Sequence, residues 1–461
     1  MHIYSLSANM GMGTIAGHQH PQGALCHRKI SKVLHSRGKL DAQTRSAKCQ
    51  CEQRLPHLQP VFPLPAMLPP RYTARVISPA SLFARIDTRF ALFYGAFYLG
   101  FGAYLPYMPV WYAERGLSPE LIGIAAAAGM VGRVAVAPLG AFWSDRATRR
   151  RDAILAFALA GLCVFLAHIP DTHPVFILIL AGLSGAAITG VIPLVDAFAM
   201  GEARREGFAF GVPRAIGSAL FVVGNLGAGA LISAFGGEAV LGWVLAGAAL
   251  TALTAALLPE GRIAAIPGVD REDAPSLRIL LTAGLPLAFA ASALIQGAHG
   301  FYYAFSALAW RADGVPAWAI GLLWATGVGA EIVFFAVWSK VLKGWSPAAM
   351  MALAGGVAVV RWLALALSPP LWMLFPLQML HAFSFAAAYL GFLRYAADHA
   401  PERLAATAQA INSALSGGLV LAGATFVSGL AFAAFGTGGF ALMAIPAGLG
   451  AACALWLARR G

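Results

Sequence analysis

Charge is what this sequence has least of: only 11% of its 461 residues are Asp, Glu, Lys or Arg, against 59% hydrophobic residues and a mean hydropathy of +0.71. A water-soluble globule carries roughly a quarter of its residues charged, so that class is excluded. Cysteine is scarce too. Of five, Cys26, Cys49 and Cys51 precede the apolar part of the chain, while Cys163 and Cys453 lie in separate apolar runs and read as small core residues. Cys49 and Cys51 have no second cysteine pair at zinc-site spacing, so no metal is expected. The chain has no G-x-x-x-x-G-K-[ST] loop, which argues against ATP drive. Nor does it hold a Ser-His-Asp set or nucleophile elbow in a supporting context, so it is not expected to be an enzyme or to need a cofactor. No removable signal peptide is visible either.

What is present is apolar length. A helix rises about 1.5 Å per residue and needs about 17 to 25 apolar residues to cross a bilayer. Twelve such segments are counted, at 90–112, 120–142, 153–169, 174–196, 214–235, 240–257, 280–304, 317–339, 349–367, 371–393, 407–430 and 438–457. Barrel strands would be shorter and alternating, so the expected fold class is an all-α membrane protein of twelve transmembrane helices.

Basic residues set the orientation. Arg146, Arg149, Arg150 and Arg151 follow segment 2, Arg204 and Arg205 follow segment 4, and Arg262, Arg271 and Arg278 fall in the central connection. Lys340 and Lys343 follow segment 8, Arg394 and Arg403 flank the 10–11 connection, and Arg459 and Arg460 close the chain. The opposite loops carry Arg115 and Arg311. Because positive loops stay inside, both ends of the bundle are expected to be cytoplasmic, in the inner or plasma membrane. The formal charge of +12 is mostly this topology signal plus a basic N-terminal extension, so no nucleic-acid partner is expected.

The chain also repeats. GLSPELIG at 116–123 is matched after segment 7 by GVPAWAIG at 314–321, and AFWSDR at 141–146 is echoed by AVWSKV at 336–341. Two six-helix pseudo-repeats in the same orientation would give this pattern. The expected division is a disordered extension at 1–89, a six-helix bundle at 90–257, a cytoplasmic linker at 258–278 and a second bundle at 279–461.

Ionisable residues inside apolar segments are costly, and usually working residues. Arg133, Glu331, Arg361 and His381 each fall about 15 to 21 Å along their segments, near mid-membrane. Glu331 and Arg361 read either as a structural ion pair or as a charge network in which moving the arginine loads and releases a proton. His381 is a proton relay, a substrate contact or a satisfied core histidine. Arg133 suits a substrate carboxylate, or else pairs with Glu331 or a helix carbonyl. Asp196 and Arg214, near the cytoplasmic ends of their segments, form a gate, a substrate contact or an interfacial salt bridge. His299, Tyr302, Tyr303 and Trp310, and on segment 1 Tyr94, Tyr98 and Tyr104, are interfacial anchors or the aromatic wall of a cavity.

AFWSDRATRRR at 141–151 resembles the loop signature of the major facilitator superfamily, with Asp145, Arg146, Arg149 and Arg150 as its acid-and-basic core. Ala141 and Thr148 stand where that signature usually has glycine. The resemblance implies that this loop gates the cytoplasmic side. DAFAMGEARREGFAFGVPRAIGS at 196–218 is similar to the helix 4–5 connection of the lactose permease group, whose acid and arginine contact substrate and here are Asp196 and Arg214. Glu331, Arg361 and His381 resemble that group's proton-coupling residues, and 299–342 looks like the phenylpropionate permease branch. One position departs: three residues after the histidine, a proton-carrying carboxylate is replaced by Ser384.

The resemblance implies a monomeric, alternating-access secondary transporter driven by a proton gradient, carrying a small solute together with a proton. An aromatic acid of phenylpropionate type leads. Alternatives are a proton-coupled sugar or nucleoside permease, an exporter, and a non-transporting membrane receptor or scaffold.

Overall fold

In hydrocarbon a backbone must satisfy its own N–H and C=O groups, and every element among the described residues is helical. The computed structural model describes residues 85–146, 149–170, 173–261, 277–282, 284–342, 344–401 and 404–460, less a few side chains within those helices. The expected extension, up to residue 84, and the core of the expected linker, 262–276, lie outside the described residues.

The first six expected segments appear as α1 (Ile86–Glu114), α2 (Pro119–Arg146), α3 (Arg150–Leu166), α4 (Pro174–Glu206), α5 (Gly211–Phe235) and α6 (Ala239–Leu257). Segment 7 is built by α7 (Leu285–Gly297) and α8 (Gly300–Ala312), and segments 8 and 9 by α9 (Ala317–Val341) and α10 (Pro347–Ala366). Segment 10 comprises α11 (Leu371–Met379), a π-helical stretch at Ala382–Ala387 and α12 (Ala388–His399). Segment 11 has the same form, with α13 (Ala405–Ala414), a π stretch at Leu415–Val420 and α14 (Leu421–Phe435). A 3₁₀ turn at Gly436–Met443 leads into α15 (Ala444–Arg460). Taken as continuous helices, seven spans among the described residues are long and apolar enough to cross a membrane, one of them joining segments 11 and 12.

Several boundaries move, for local reasons. Helix α4 runs on to Glu206, because the stretch after Asp196 is rich in Ala, Glu and Arg and ends only at Gly207, whose φ of 74° closes the helix. Asp196 is thus ten residues inside α4 instead of near its end. Segment 7 extends to Ala312 and breaks at Ala298–His299, where α7 and α8 press against segment 11: a Cβ on Gly297 would lie 2.5 Å from Val420, and one on Gly300 2.8 Å from Ala424.

Within the first half α1 packs on α5 and α6, α2 on α4, and α3 on α6; within the second, α15 packs on α7 and α10, and α8 on α14. The halves meet through α2 with α14, α5 with α9, and α1 with α8. Small residues permit this. A Cβ on Gly123 of α2 would sit 2.9 Å from the Gly429 Cα of α14, and one on Gly321 of α9 2.5 Å from the Asn225 carbonyl of α5. At the arginine-poor end the seam is polar: Arg311 pairs with Glu114 at 3.1 Å, the Tyr107 hydroxyl donates to Ala317 O at 3.3 Å, and Trp318 N donates to Ser233 Oγ at 3.1 Å.

The α1–α5 contact has no room for a side chain at Gly224, where a Cβ would run into the Leu99 carbonyl. Gly224→Val is expected to destabilise the protein by about 1–3 kcal/mol through overpacking. A melting-temperature fall of several degrees in detergent would show it, and an unchanged melting curve would remove this seam from the account.

Candidate functional site

Two buried polar clusters each contribute one tyrosine, Tyr98 and Tyr303, to the wall of one cavity. The first belongs to α1, α4 and α5. Tyr94 and Tyr98, four residues apart on one face of α1, lie against the Arg214 guanidinium with ring centroids 5.3 and 4.7 Å from its carbon. Gly217, three residues after Arg214, makes that possible, since a Cβ there would meet Tyr98 Cδ2 at 2.7 Å. The Tyr94 hydroxyl donates to Asp196 Oδ1 at 2.6 Å, and Arg214 Nε approaches the same oxygen at 3.5 Å. Arg214 is fully buried, yet its Nη1 and Nη2 make no hydrogen bond among the described residues. Cation–π contact desolvated in this way contributes about 2 kcal/mol.

Tyr98 also lines a cavity of about 100 Å³ that is partly open to solvent. Its wall is mostly apolar and aromatic, with Phe97, Phe101, Tyr104 and Tyr112 from α1, Met130 from α2 and, from the other half, Tyr303 of α8. That composition suits an apolar ligand body with a few polar anchors.

Behind Tyr303 lies the second cluster. Its ring stacks on His299 (5.8 Å between centroids, 26°), and His299 lies 5.2 Å from the His381 ring. Arg361 is fully buried between Tyr302 and Trp362, 4.8 and 4.6 Å from the ring centroids. Its donors are committed: Nε to Leu377 O at 2.9 Å, Nη2 to Gln378 Oε1 at 2.9 Å, and Nη1 to His381 Nδ1 at 3.1 Å and Ser384 Oγ at 3.3 Å. Each of those acceptors is neutral.

A guanidinium only donates, so His381 Nδ1 must accept, which fixes this imidazole as the neutral Nε2–H tautomer. A proton can settle on Nδ1 only after Arg361 leaves. Glu331, 1% exposed on α9, lies within electrostatic range of Arg361, Tyr302 and Tyr303. One turn earlier, Gly327 faces Gln378 and His381, with 3.6 and 3.7 Å available to a Cβ. Thus α9 packs its Glu331-bearing helix onto the Arg361 cluster.

The other expected residues divide. Arg149 pairs with Glu260 at 3.3 Å, joined by Arg151 at 3.8 Å, so this part of the loop ties α3 to the end of α6. The Arg150 amide donates to Gly261 O at 3.3 Å. The side chains of Arg133, Asp145 and Arg146 lie outside the described residues. The anchor reading of His299, Tyr302, Tyr303 and Trp310 is corrected, since all four are interior and at most 6% exposed. The helix runs eight residues past the expected end of segment 7, to Ala312, which leaves His299, Tyr302 and Tyr303 well inside the segment. Burial likewise corrects the water-accessible placement of Asp196 and Arg214, at 8% and 0% exposure.

Missed by sequence reasoning were Gln378, Trp362 and the paired function of Tyr94 with Tyr98. The tyrosine pair had a readable signal in the i, i+4 spacing, continued by Phe101 and Tyr104 on the same helix. Gln378 had none, because an amide three residues before a histidine carries no pattern of its own.

Comparison with known proteins follows the same direction. A family model described as the MFS_1 like family matches residues 88–441. A protein of Escherichia coli (strain K12) described as a probable 3-phenylpropionic acid transporter is 30% identical over 360 residues, covering 77% of this chain and 95% of its own. The maltose permease of Geobacillus stearothermophilus is 29% identical over 348 residues, covering 74% and 86%. Among solved structures, the nucleoside transporter NupG aligns with a TM-score of 0.67 at 14% identity, covering 81% of this chain and 98% of that one. At this identity the likeness speaks for the fold alone.

Proposed function

The chain belongs to the MFS_1 like family and is a multi-pass membrane transporter of major facilitator type, and from that premise we propose that it carries an aromatic monocarboxylate together with a proton by alternating access. The observation that carries this reading is Arg214: a fully buried guanidinium whose Nη1 and Nη2 have no hydrogen-bond partner among the described residues, packed on Tyr98 of an aromatic-walled cavity. Its planar fork suits a carboxylate held bidentately, while the phenyl body packs against Phe97, Phe101 and Tyr104. Description of a 30% identical relative as a probable 3-phenylpropionic acid transporter supports the same substrate class.

Coupling would run through the second cluster. In the conformation described, Arg361 is docked on neutral groups; when it moves toward Glu331, His381 Nδ1 is released and becomes able to take a proton. Loops at the arginine-rich ends, including Asp145, Arg146, Arg149 and Arg150, gate the side proposed to be cytoplasmic. The proton gradient is the driving force, and a single chain suffices as the transporting unit. A sugar is the second reading, favoured by the 29% identical maltose permease, but a hydroxyl-rich ligand needs more polar anchors than this wall offers.

The test is uptake of labelled 3-phenylpropionate into proteoliposomes with an imposed pH gradient, acid outside. Accumulation above equilibrium that a protonophore abolishes is expected. Binding without accumulation would make the chain a receptor or scaffold, and gradient-driven uptake of maltose instead would establish the sugar reading.

A further inference from the structure

His299 stands at the break between α7 and α8 and is fully buried. Its Nδ1 lies 3.2 Å from Ile295 O and 3.1 Å from Gln296 O. Carbonyls only accept, so Nδ1 carries a hydrogen and the ring's open position is Nε2. The atom 3.3 Å from Nε2 is Ser384 Oγ, at the position where the family resemblance calls for a carboxylate. The same oxygen is 3.3 Å from Arg361 Nη1 and 3.3 Å from the His381 carbonyl. One hydroxyl therefore stands among an imidazole nitrogen, a guanidinium and a carbonyl.

A serine hydroxyl donates once and accepts twice, and this geometry satisfies it in two ways. With His299 neutral, Ser384 donates to Nε2 and accepts from Arg361. With His299 protonated, Ser384 accepts from both Nε2–H and Nη1–H and turns its own hydrogen to the His381 carbonyl. No heavy atom moves between the two states. A second positive charge, however, is then bridged to Arg361 by a single oxygen.

We propose that His299, read through Ser384, is a proton-binding site that replaces the missing carboxylate, and that its protonation drives Arg361 out of its docked position. The proton comes from water by way of the cavity, whose wall includes the Tyr303 ring stacked on His299. An N–H bond forms at Nε2 as a hydronium O–H bond breaks, and the reverse step returns the proton to water. Other charged or titratable groups around the imidazole are His381 from segment 10, Arg361 from α10, Tyr302 and Tyr303 from α8, and Glu331 from α9 beyond Arg361. His381 does not serve here, since its Nδ1 is occupied by Arg361. This inference rests on the proton-coupled reading above and assigns the titrating group within it.

Two measurements test it. In ¹⁵N-histidine-labelled protein in nanodiscs, the signal absent from H299Q is expected to show a neutral Nδ1–H ring whose Nε2 gains a proton on acidification across the pH range in which the protein stays folded. That readout involves no substrate, so it stands whether or not 3-phenylpropionate is carried. A ring neutral across the range overturns the proposal. In proteoliposomes, S384A is expected to reduce pH-gradient-driven uptake at least tenfold more than it reduces equilibrium exchange, and to flatten the pH dependence of exchange. S384T, which keeps the hydroxyl, restores both. Equal behaviour of S384A and S384T, or a wild-type pH profile in S384A, also overturns the proposal. Failure of wild-type uptake with a titrating His299 would instead count against the substrate reading.

Discussion

Arg214→Gln is expected to weaken binding of 3-phenylpropionate by about 100-fold or more while leaving the affinity for its primary amide nearly unchanged. Two charge-assisted hydrogen bonds from Nη1 and Nη2 to a carboxylate are each worth about 1.5–3 kcal/mol, and each 1.4 kcal/mol is a factor of ten. Among the described residues neither nitrogen has a hydrogen-bond partner at normal distance, so both can turn to a ligand while Nε stays beside Asp196. Arg214→Lys should recover little, because a point charge on a flexible stem reproduces neither the fork nor its stacking on Tyr94 and Tyr98.

A complication is Asp196, which Arg214→Gln would strand as a buried carboxylate at a cost of about 3–5 kcal/mol. The pair Arg214→Gln with Asp196→Asn removes that charge and keeps the Tyr94 hydroxyl hydrogen-bonded, so it separates binding from folding. Titration calorimetry of acid and amide on the double variant is the decisive measurement. Equal losses for both ligands would make Arg214 structural and move the carboxylate site elsewhere.

Much of this arrangement is legible in the sequence because the bilayer removes alternatives. Apolar runs of fixed length fix the helices, and a lone Arg361 or Glu331 inside such a run announces itself by its cost. Asp196 and Arg214 were readable as a pair, and Arg214 sits in the first turn of α5 as expected, but the depth of Asp196 was not legible. Depth depends on where α4 ends, and the polar but helix-favouring residues after Asp196 obscured that end.

Contacts across segments were least legible. Sequence gives Arg361 a plausible acid partner in Glu331, yet the guanidinium docks on Leu377 O, Gln378, His381 and Ser384. Of these acceptors Ser384 lies within the π stretch at Ala382–Ala387, a one-residue change of helical register that no hydropathy pattern carries. His299 was misjudged for a related reason. Aromatics beside a segment end look interfacial until the segment proves longer and broken.

Glu331→Gln is expected to abolish pH-gradient-driven accumulation, by about 100-fold or more, while equilibrium exchange of labelled substrate persists. Glutamine matches glutamate in shape but neither carries a proton nor offers a charge to a displaced Arg361, so the substitution acts on coupling rather than packing. Leaving Leu377 O, Gln378, His381 and Ser384 takes Arg361 away from four hydrogen-bond contacts, each worth about 1.5–3 kcal/mol to a charged group. Glu331, within electrostatic range on α9, is the compensating carboxylate, and one turn earlier Gly327 faces Gln378 and His381. Without it, the docked state has no charged competitor and the loaded proton has no reason to travel with substrate. Accumulation and exchange should be measured in the same proteoliposomes, so that their ratio cancels differences in insertion. Equal loss of both would assign Glu331 to folding, and unchanged accumulation would remove it from coupling and leave His299 as the titrating group. Should the ratio collapse in both Glu331→Gln and Ser384→Ala, the two substitutions block opposite ends of one movement of Arg361, and combining them should add little further loss.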